Sequence, residues 1–273
     1  MSGTSPESTM VQLGVGAPDA RDFAMAVRVH RADSAIEAPD DVPVVALHGL
    51  TGAGTTWDVL GTALAKRGRR TIAPDLRGHA GTDRRGPYTF EQTTEDVVAL
   101  LDRLDVPLVD LVGHSLGGLL ATRVAMQQPD RVRRLVVEDL PAPWGGPPEH
   151  DGDRVRRWRG RNATLTAYAL AAGVKNRQRH YQVAAVDRLL VAFGRRDPQW
   201  WAGLPQIRAS TLVIAGGAGS HVPQSPMTTM ARLIPDAHLE LVDVGHRVHS
   251  TDPDRFAALV VPFLCGEPRD VSP

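Results

Sequence analysis

The chain has very little cysteine, no excess of either charge and no long apolar run among its 273 residues. Its single cysteine, Cys265, excludes an internal disulfide and a cysteine-based metal cluster. The 31 basic and 31 acidic side chains cancel, so no overall field favours nucleic acid or an acidic membrane. The first ten residues are polar and lack the apolar core of a signal peptide. We therefore expect a cytoplasmic protein that binds neither nucleic acid nor membrane, and that is a monomer or a homodimer.

Short apolar runs alternate with segments of helical periodicity along most of the chain. Residues 11–15 and 23–30 have the alternating pattern of an antiparallel edge hairpin. The remaining predicted strands are 42–47, 70–74, 107–112, 131–139, 211–215 and 239–244, and the predicted helices are 55–66, 91–104, 118–128, 226–233 and 253–264. This order predicts an α/β fold with a mostly parallel, eight-stranded sheet and helices on both faces.

The alternation breaks between residues 141 and 205. Proline and glycine come first there, followed by helical stretches. We predict a core formed by residues 1–140 and 206–273, with residues 141–205 inserted as a helical lid. The insertion contains four of the five tryptophans, Trp144, Trp158, Trp200 and Trp201. Aromatic side chains on a lid form an apolar wall over a pocket or pack the lid onto the core, and we assign Trp144 to the pocket.

Arginines are also dense in the insertion. Most of them are expected to face solvent, but one or two that point inward would bind a carboxylate or a phosphate. We therefore expect a small, apolar substrate, with an acidic group if such arginines exist.

A tight turn is predicted at Gly113-His114-Ser115-Leu116-Gly117, between an apolar strand and a helical segment. G-x-S-x-G in this setting is the pattern of a nucleophile elbow. The turn strains the serine backbone, and its neighbours must lack a bulky Cβ. The N-terminus of the following helix places free N–H groups beside any negative charge that forms. Ser115 is the predicted nucleophile.

A serine hydroxyl needs a base in contact with it near neutral pH. His246 directly follows the last predicted strand, so its loop reaches the same edge of the sheet as Ser115. His249, three residues further on, is the alternative base. His48 and His114 are expected to brace the loops at the mouth of the substrate pocket.

Several motifs in this order resemble the α/β-hydrolase fold family over roughly residues 22–265. They are His48-Gly49-Leu50, the run DLRGHAGTD at 75–83, GHSLGG at 113–118, and Gly245-His246 followed by DPDRF at 252–256. The resemblance implies that Ser115 is the nucleophile and His246 the base, with the backbone N–H groups of Leu50 and Leu116 as the oxyanion hole. It implies neither a metal nor an organic cofactor.

The acid of the triad departs from the family pattern. In the family it usually follows the penultimate strand, but Gly219 stands at that position and no Asp or Glu occurs between Ser210 and Ile234. Two carboxylates, Glu138 and Asp139, end the strand after the elbow helix, where some family members carry the acid. We favour Asp139, with Glu138 as the second candidate and a purely structural role for both as the third.

The predicted activity is that of a serine hydrolase acting on an ester, thioester, lactone or related carbonyl of a small molecule through an acyl-enzyme. The displaced acid leaves two alternatives open. One is a lyase, isomerase or cyclase of secondary metabolism that uses the same pocket. The other is a ligand-binding protein with a vestigial site.

Overall fold

The strands of the computed structural model form one twisted sheet. The structure describes residues 6–13, 23–36, 40–143, 146 and 181–267. Within these, the strands are β1 (Glu7–Leu13), β2 (Phe23–His30), β3 (Val44–Leu47), β4 (Thr71–Pro74), β5 (Val109–His114), β6 (Val132–Glu138), β7 (Ser210–Ala215) and β8 (Ala237–Leu241). Their order in the sheet is β1-β2-β4-β3-β5-β6-β7-β8. Among the described strands only β2 runs opposite to the others, so β1–β2 and β2–β4 are the antiparallel pairs, which confirms the predicted eight-stranded, mostly parallel sheet.

Helices cover both faces of this sheet, as predicted. The described helices are α1 (Asp58–Ala65), α2 (Phe90–Arg103), α3 (Leu116–Gln127), α4 (Val183–Phe193), α5 (Pro198–Gly203), α6 (Gln224–Leu233), α7 (Val248–Thr251) and α8 (Pro253–Cys265). Thr89 caps α2 by accepting the N–H of Gln92 on its hydroxyl at 3.1 Å. Gly266 ends α8 in the left-handed conformation, with φ at 74°.

The central strands are buried on both faces, because alternate side chains pack into two different clusters. Val44 and Ala46 of β3 join the apolar side chains of α1 and α8. Val45 and Leu47 join those of α2 and α3 on the opposite face. Burial on both faces explains why these strands read as continuous apolar runs.

The last strand lies earlier in the chain than the apolar alternation predicts, at Ala237–Leu241 instead of 239–244. Its partner β7 ends at Ala215, and the ladder between the two strands ends with the pair Ala215 and Leu241. The residues that follow leave the sheet and run toward its carboxyl edge. This early end places His246 in a loop above the sheet.

The described part of the insertion is helical and lies against the core. The ring of Phe193 on α4 contacts that of Phe90 on α2, with centroids 4.8 Å apart. Trp200 and Trp201 are buried, and their indole N–H groups donate to the Thr122 hydroxyl at 2.9 Å and the Pro143 carbonyl at 2.7 Å. Trp200 thus fastens the insertion to α3 of the core, and Trp201 ties α5 to the first residues of the insertion. Trp144 and Trp158 lie outside the described residues, and the boundaries of the lid stay a prediction.

None of the described helices combines the length and the apolar character that crossing a membrane requires.

Candidate active site

The turn between β5 and α3 has the strained geometry of a nucleophile elbow. Ser115 has φ of 53° and ψ of −113°, a conformation that L residues rarely adopt. A Cβ added at Gly113 or Gly117 would overlap backbone atoms of the elbow helix or of Leu47. The N–H of Ser115 donates to the carbonyl of Glu138 at 2.9 Å, which ties the turn to the end of β6. The strain is therefore held in place by packing and by the sheet.

The loop after β3 runs directly against this elbow. A Cβ at Gly49 would lie 2.7 Å from Cδ2 of His114 and 3.5 Å from Cβ of Ser115. The next carbonyl, that of Leu50, is engaged by Nε2 of His79 at 2.7 Å, which fixes the orientation of the loop. Leu116 is the first residue of α3, so its N–H has no acceptor within the helix. Leu116 follows Ser115 directly, and Leu50 follows Gly49 in the loop against the elbow. Their role as an oxyanion hole stays a prediction.

His246 and Asp139 meet at the carboxyl edge of the sheet. Nδ1 of His246 donates to Oδ2 of Asp139 at 2.7 Å, which leaves Nε2 as the acceptor on the other side of the ring. The His246 ring also packs on His114, the residue before Ser115, with ring centroids 4.6 Å apart. The side chain of His246 is 19% exposed, whereas that of Asp139 is fully buried. The arrangement therefore brings a partly accessible imidazole to the elbow and backs it with a buried carboxylate.

Asp139 is held by more donors than His246 alone. Its Oδ1 accepts the N–H of Gly216 at 2.8 Å and the amide of Gln224 at 3.1 Å, and its Oδ2 accepts the hydroxyl of Ser220. Burial raises the pKa of the Asp139 carboxyl, but the hydrogen bonds from His246, Ser220 and Gly216 outweigh burial and leave it below its usual value. The carboxylate is therefore ionised at neutral pH and fixed in orientation.

The second candidates of the sequence, Glu138 and His249, pair with each other. Nδ1 of His249 lies 2.8 Å from Oε2 and 3.0 Å from Oε1 of Glu138, and the His249 backbone N–H donates to Oε1 at 2.9 Å. Glu138, the last residue of β6, and Asp139, which follows it, thus contact two different histidines. His246 and Asp139, the base and acid that the sequence favours, are in contact with each other. Their catalytic roles stay a prediction.

His48 lies inside the loop after β3, where its ring is closed to solvent and contacts loop backbone. The ring is fully enclosed, its Nδ1 donates to the carbonyl of Gly49 at 2.7 Å, and its Nε2 accepts the N–H of Leu76 at 2.9 Å. Burial lowers the pKa of His48 to about 3, and the neighbouring His79 contributes in the same direction. Because both ring nitrogens are occupied by backbone, His48 shapes the loop and offers a substrate no polar atom.

The other predicted pocket residues are placed differently. His114 is 5% exposed and lies under the rings of His246 and His249. Burial, followed by the nearby imidazoles, holds the pKa of His114 well below its usual range. Trp144 lies outside the described residues. A groove of about 1040 Å³ between α2, α3 and α4–α5 is lined by none of Ser115, Asp139 and His246, so its position gives no support for substrate binding at the elbow.

Sequence reasoning missed Ser220, Gln224 and His221. The first two donate to Asp139, and the ring of His221 lies 4.1 Å from that of His246. All three belong to the segment after β7 in which the expected acid is lacking. The lack of an acid in this segment could have pointed to these residues, because a segment that lies against a buried carboxylate must supply hydrogen-bond donors to it.

Comparison with known proteins identifies the family. The model of the alpha/beta hydrolase family matches residues 44–259. The chain belongs to the alpha/beta hydrolase family. Mouse sn-1-specific diacylglycerol lipase ABHD11 is 31% identical over 254 residues, covering 81% of this chain and 80% of the mouse protein. The 2-hydroxymuconate semialdehyde hydrolase of Pseudomonas sp. strain CF600 is also 31% identical over 254 residues, covering 81% of this chain and 86% of its own length.

Solved structures agree with this placement in the alpha/beta hydrolase family. A hydrolase from Pseudomonas aeruginosa PA01 superposes with a TM-score of 0.72 at 25% identity, covering 94% of this chain and 98% of that chain. The relatives and this neighbour are all named as hydrolases or lipases. The chain is therefore an enzyme of the alpha/beta hydrolase type.

Proposed function

We propose that this alpha/beta hydrolase is a serine hydrolase that cleaves an ester, thioester, lactone or related carbonyl of a small molecule through an acyl-enzyme. Ser115 is the nucleophile, His246 the general base and Asp139 the acid that orients the base. The backbone N–H groups of Leu50 and Leu116 stabilise the oxyanion. One observation carries the proposal: His246, held by Asp139 through Nδ1 at 2.7 Å, packs on the residue next to the strained Ser115.

In the first half of the reaction, Oγ of Ser115 attacks the carbonyl carbon while Nε2 of His246 takes the hydroxyl proton. The charge on the carbonyl oxygen develops beside the N–H groups of Leu50 and Leu116, and each such donor is worth about 3 kcal/mol of barrier. Asp139 holds His246 in the tautomer that can accept this proton and stabilises the imidazolium that results. Collapse of the tetrahedral intermediate expels the leaving group, which takes the proton from His246.

In the second half, His246 takes a proton from water and the resulting hydroxide attacks the acyl carbon on Ser115. The same donors stabilise the second tetrahedral intermediate. Its collapse returns the proton to Oγ of Ser115 and releases the carboxylic acid. These steps consume one water for each bond cleaved and leave the enzyme unchanged.

A fluorophosphonate probe with intact-mass analysis tests the nucleophile. We expect one adduct per chain on the wild-type protein and none on Ser115→Ala. Ser210→Ala is the matched control, because Ser210 begins β7 at the opposite edge of the sheet, and it should label like the wild type. Folded wild-type protein that takes no label would overturn the serine mechanism in favour of a lyase, an isomerase or a ligand-binding protein.

For the substrate, we propose an apolar acyl compound. The arginines of the insertion that lie within the described residues, Arg188, Arg195 and Arg196, are exposed, and its other arginines lie outside them. The relatives are named for a diacylglycerol and for a muconate semialdehyde, so a panel should contain neutral acyl esters and matched esters bearing a carboxylate. We expect a higher kcat/KM for the neutral esters, and a preference for the acidic members that weakens with added salt would contradict this.

A further inference from the structure

A second group of titratable side chains lies beside the proposed triad and has no role in it. The side chains of His114, Glu138 and His249 are all 7% exposed or less. Oε2 of Glu138 lies 2.8 Å from Nδ1 of His249 and 3.4 Å from Nδ1 of His114. Asp139, by contrast, keeps its own donors and shares none of them with Glu138. The group is therefore distinct from the His246–Asp139 pair.

Hydrogen bonding accounts for only part of this group. His249 donates to Glu138 through its backbone N–H and can donate through Nδ1 as well. Nδ1 of His114, however, is buried and has no hydrogen-bond partner among the described residues. A buried polar atom left in this state costs about 1–3 kcal/mol. The unpartnered nitrogen lies 3.4 Å from Oε2 of Glu138. A cation bound to both atoms would therefore give the lone pair of the nitrogen a partner.

The three atoms are spaced as ligands of one ion. Nδ1 of His114, a carboxylate oxygen of Glu138 and Nδ1 of His249 all lie within 4.8 Å of one another. Ligand atoms bound at about 2.0–2.2 Å to a tetrahedral ion are separated by about 3.3–3.6 Å, which the 3.4 Å spacing matches and the 2.8 Å spacing approaches. Two imidazoles and one carboxylate form a donor set that suits Zn²⁺.

We propose that His114, Glu138 and His249 form a binding site for one divalent transition metal ion of the Zn²⁺ type. Backbone and ring contacts already orient two of the ligands, as metal sites require. The N–H of His249 holds Oε1 of Glu138, and the His249 ring rests on Trp57 with centroids 5.1 Å apart. Three protein ligands leave a fourth position for water. The inference does not depend on the serine mechanism, because none of its ligands belongs to the proposed triad.

Equilibrium titration of untagged, chelator-treated protein tests the site. We expect one equivalent of Zn²⁺ to bind in competition with a chromogenic chelator, and Co²⁺ to give the visible absorption of a tetrahedral site. Glu138→Gln and His249→Gln should each weaken Zn²⁺ binding by about a hundredfold or more. That loss exceeds the one usual when a residue that only hydrogen-bonds to a metal ligand is removed. Circular dichroism and the unfolding midpoint establish that each variant is folded.

A matched control comes from β8, where His238 and Glu240 form an exposed imidazole–carboxylate pair at 2.8 Å. His238→Gln should bind Zn²⁺ like the wild type. His249→Gln keeps an N–H donor for Glu138, so it remains informative if Glu138→Gln does not fold. The proposal is overturned if wild-type protein binds no Zn²⁺, if folded His249→Gln binds it equally well, or if His238→Gln loses it. Each readout is a binding measurement, so an inactive serine site would leave the result interpretable.

Discussion

Gly216 donates its backbone N–H to Oδ1 of Asp139 at 2.8 Å. The segment after the penultimate strand, where the family usually carries the acid, here supplies donors to an acid on the neighbouring strand. Gln224 and Ser220 come from the same segment and donate to the same carboxylate. A Cβ at Gly216 would overlap the carbonyl oxygen of Gly245 and lie 3.1 Å from Cγ of Asp139, so glycine is needed there. In the proposed triad the acid therefore follows the neighbouring strand, and the segment after β7 supplies three of the donors that hold it.

Asp139→Asn should lower kcat by about 10⁴-fold while the protein stays folded. An amide that turns its NH₂ toward Nδ1 of His246 favours the tautomer in which Nε2 carries the proton and cannot act as base. Steady-state rates on an activated ester measure the effect. Asp243→Asn is the control, because Asp243 is exposed and, within the described part of the chain, accepts one hydrogen bond, from the N–H of Gly219 at 3.2 Å. A rate within a few fold of wild type for Asp139→Asn would remove Asp139 from the mechanism.

Ser220→Ala should reduce the free energy of unfolding by about 1.5–3 kcal/mol at pH 7, because it removes a hydroxyl that donates to an ionised, buried carboxylate. The pKa of Asp139 is below its usual 3.8 in the folded protein, so this stabilisation is complete above that value and is lost as the pH falls through the folded pKa. Urea unfolding at several pH values measures it. The control is Ser250→Ala, which should cost less than about 0.5 kcal/mol. The hydroxyl of Ser250 is exposed and, among the described residues, donates to the Arg247 carbonyl at 3.3 Å. Equal losses in both variants would contradict the argument.

The elbow and the sheet could be predicted because their signals are local. The apolar run before Gly113 and the glycines on both sides of Ser115 specify a strand, a turn and a helix within ten residues. The pairing of His246 with Asp139 could be proposed only as a preference, because the residues are 107 positions apart. Which of two consecutive carboxylates faces which histidine depends on the backbone turn at Asp139, where φ is 42°. Periodicity does not encode that turn.

The end of β8 shows a second limit of sequence reasoning. The apolar alternation continues to Val244, but the strand stops at Leu241 because β7 has ended and has no further ladder partner to offer. The sequence places His48 in a loop at the mouth of the pocket, but it does not show that the ring is fully enclosed. Its burial depends on the chain at Leu76, which donates to Nε2 from a different loop. The end of the neighbouring strand decides the first outcome, and a contact between two loops decides the second.

Gly49→Ala should lower kcat by about 10²–10³-fold with little change in KM. The new Cβ would lie 2.7 Å from the His114 ring, which is held between His246 and His249 and cannot move away. The loop must shift instead and carry the N–H of Leu50 away from the oxyanion. Gly194→Ala is the control, because this exposed glycine follows α4 with an ordinary helical φ of −77°. Initial rates separate kcat from KM, and an effect confined to KM would argue against a role for Leu50 in the transition state.

His48→Asn should make the stability of the protein less sensitive to acid. In the folded protein the pKa of His48 is about 3, against 6.5 for an exposed imidazole, so the unfolded chain binds more protons between these values and stability falls as the pH drops below 6.5. From pH 7.5 to 5.5 this group alone costs the wild type about 1.4 kcal/mol. Asparagine can still donate to the Gly49 carbonyl but cannot titrate, so the variant should lose that much less over the same interval, although it is less stable throughout. Denaturant unfolding at both pH values measures the difference. The control is His238→Asn, at an exposed position on β8, which should lose as much unfolding free energy between the two pH values as the wild type. A His48→Asn variant with the wild-type pH dependence would show that protonation of the enclosed imidazole does not cause the loss.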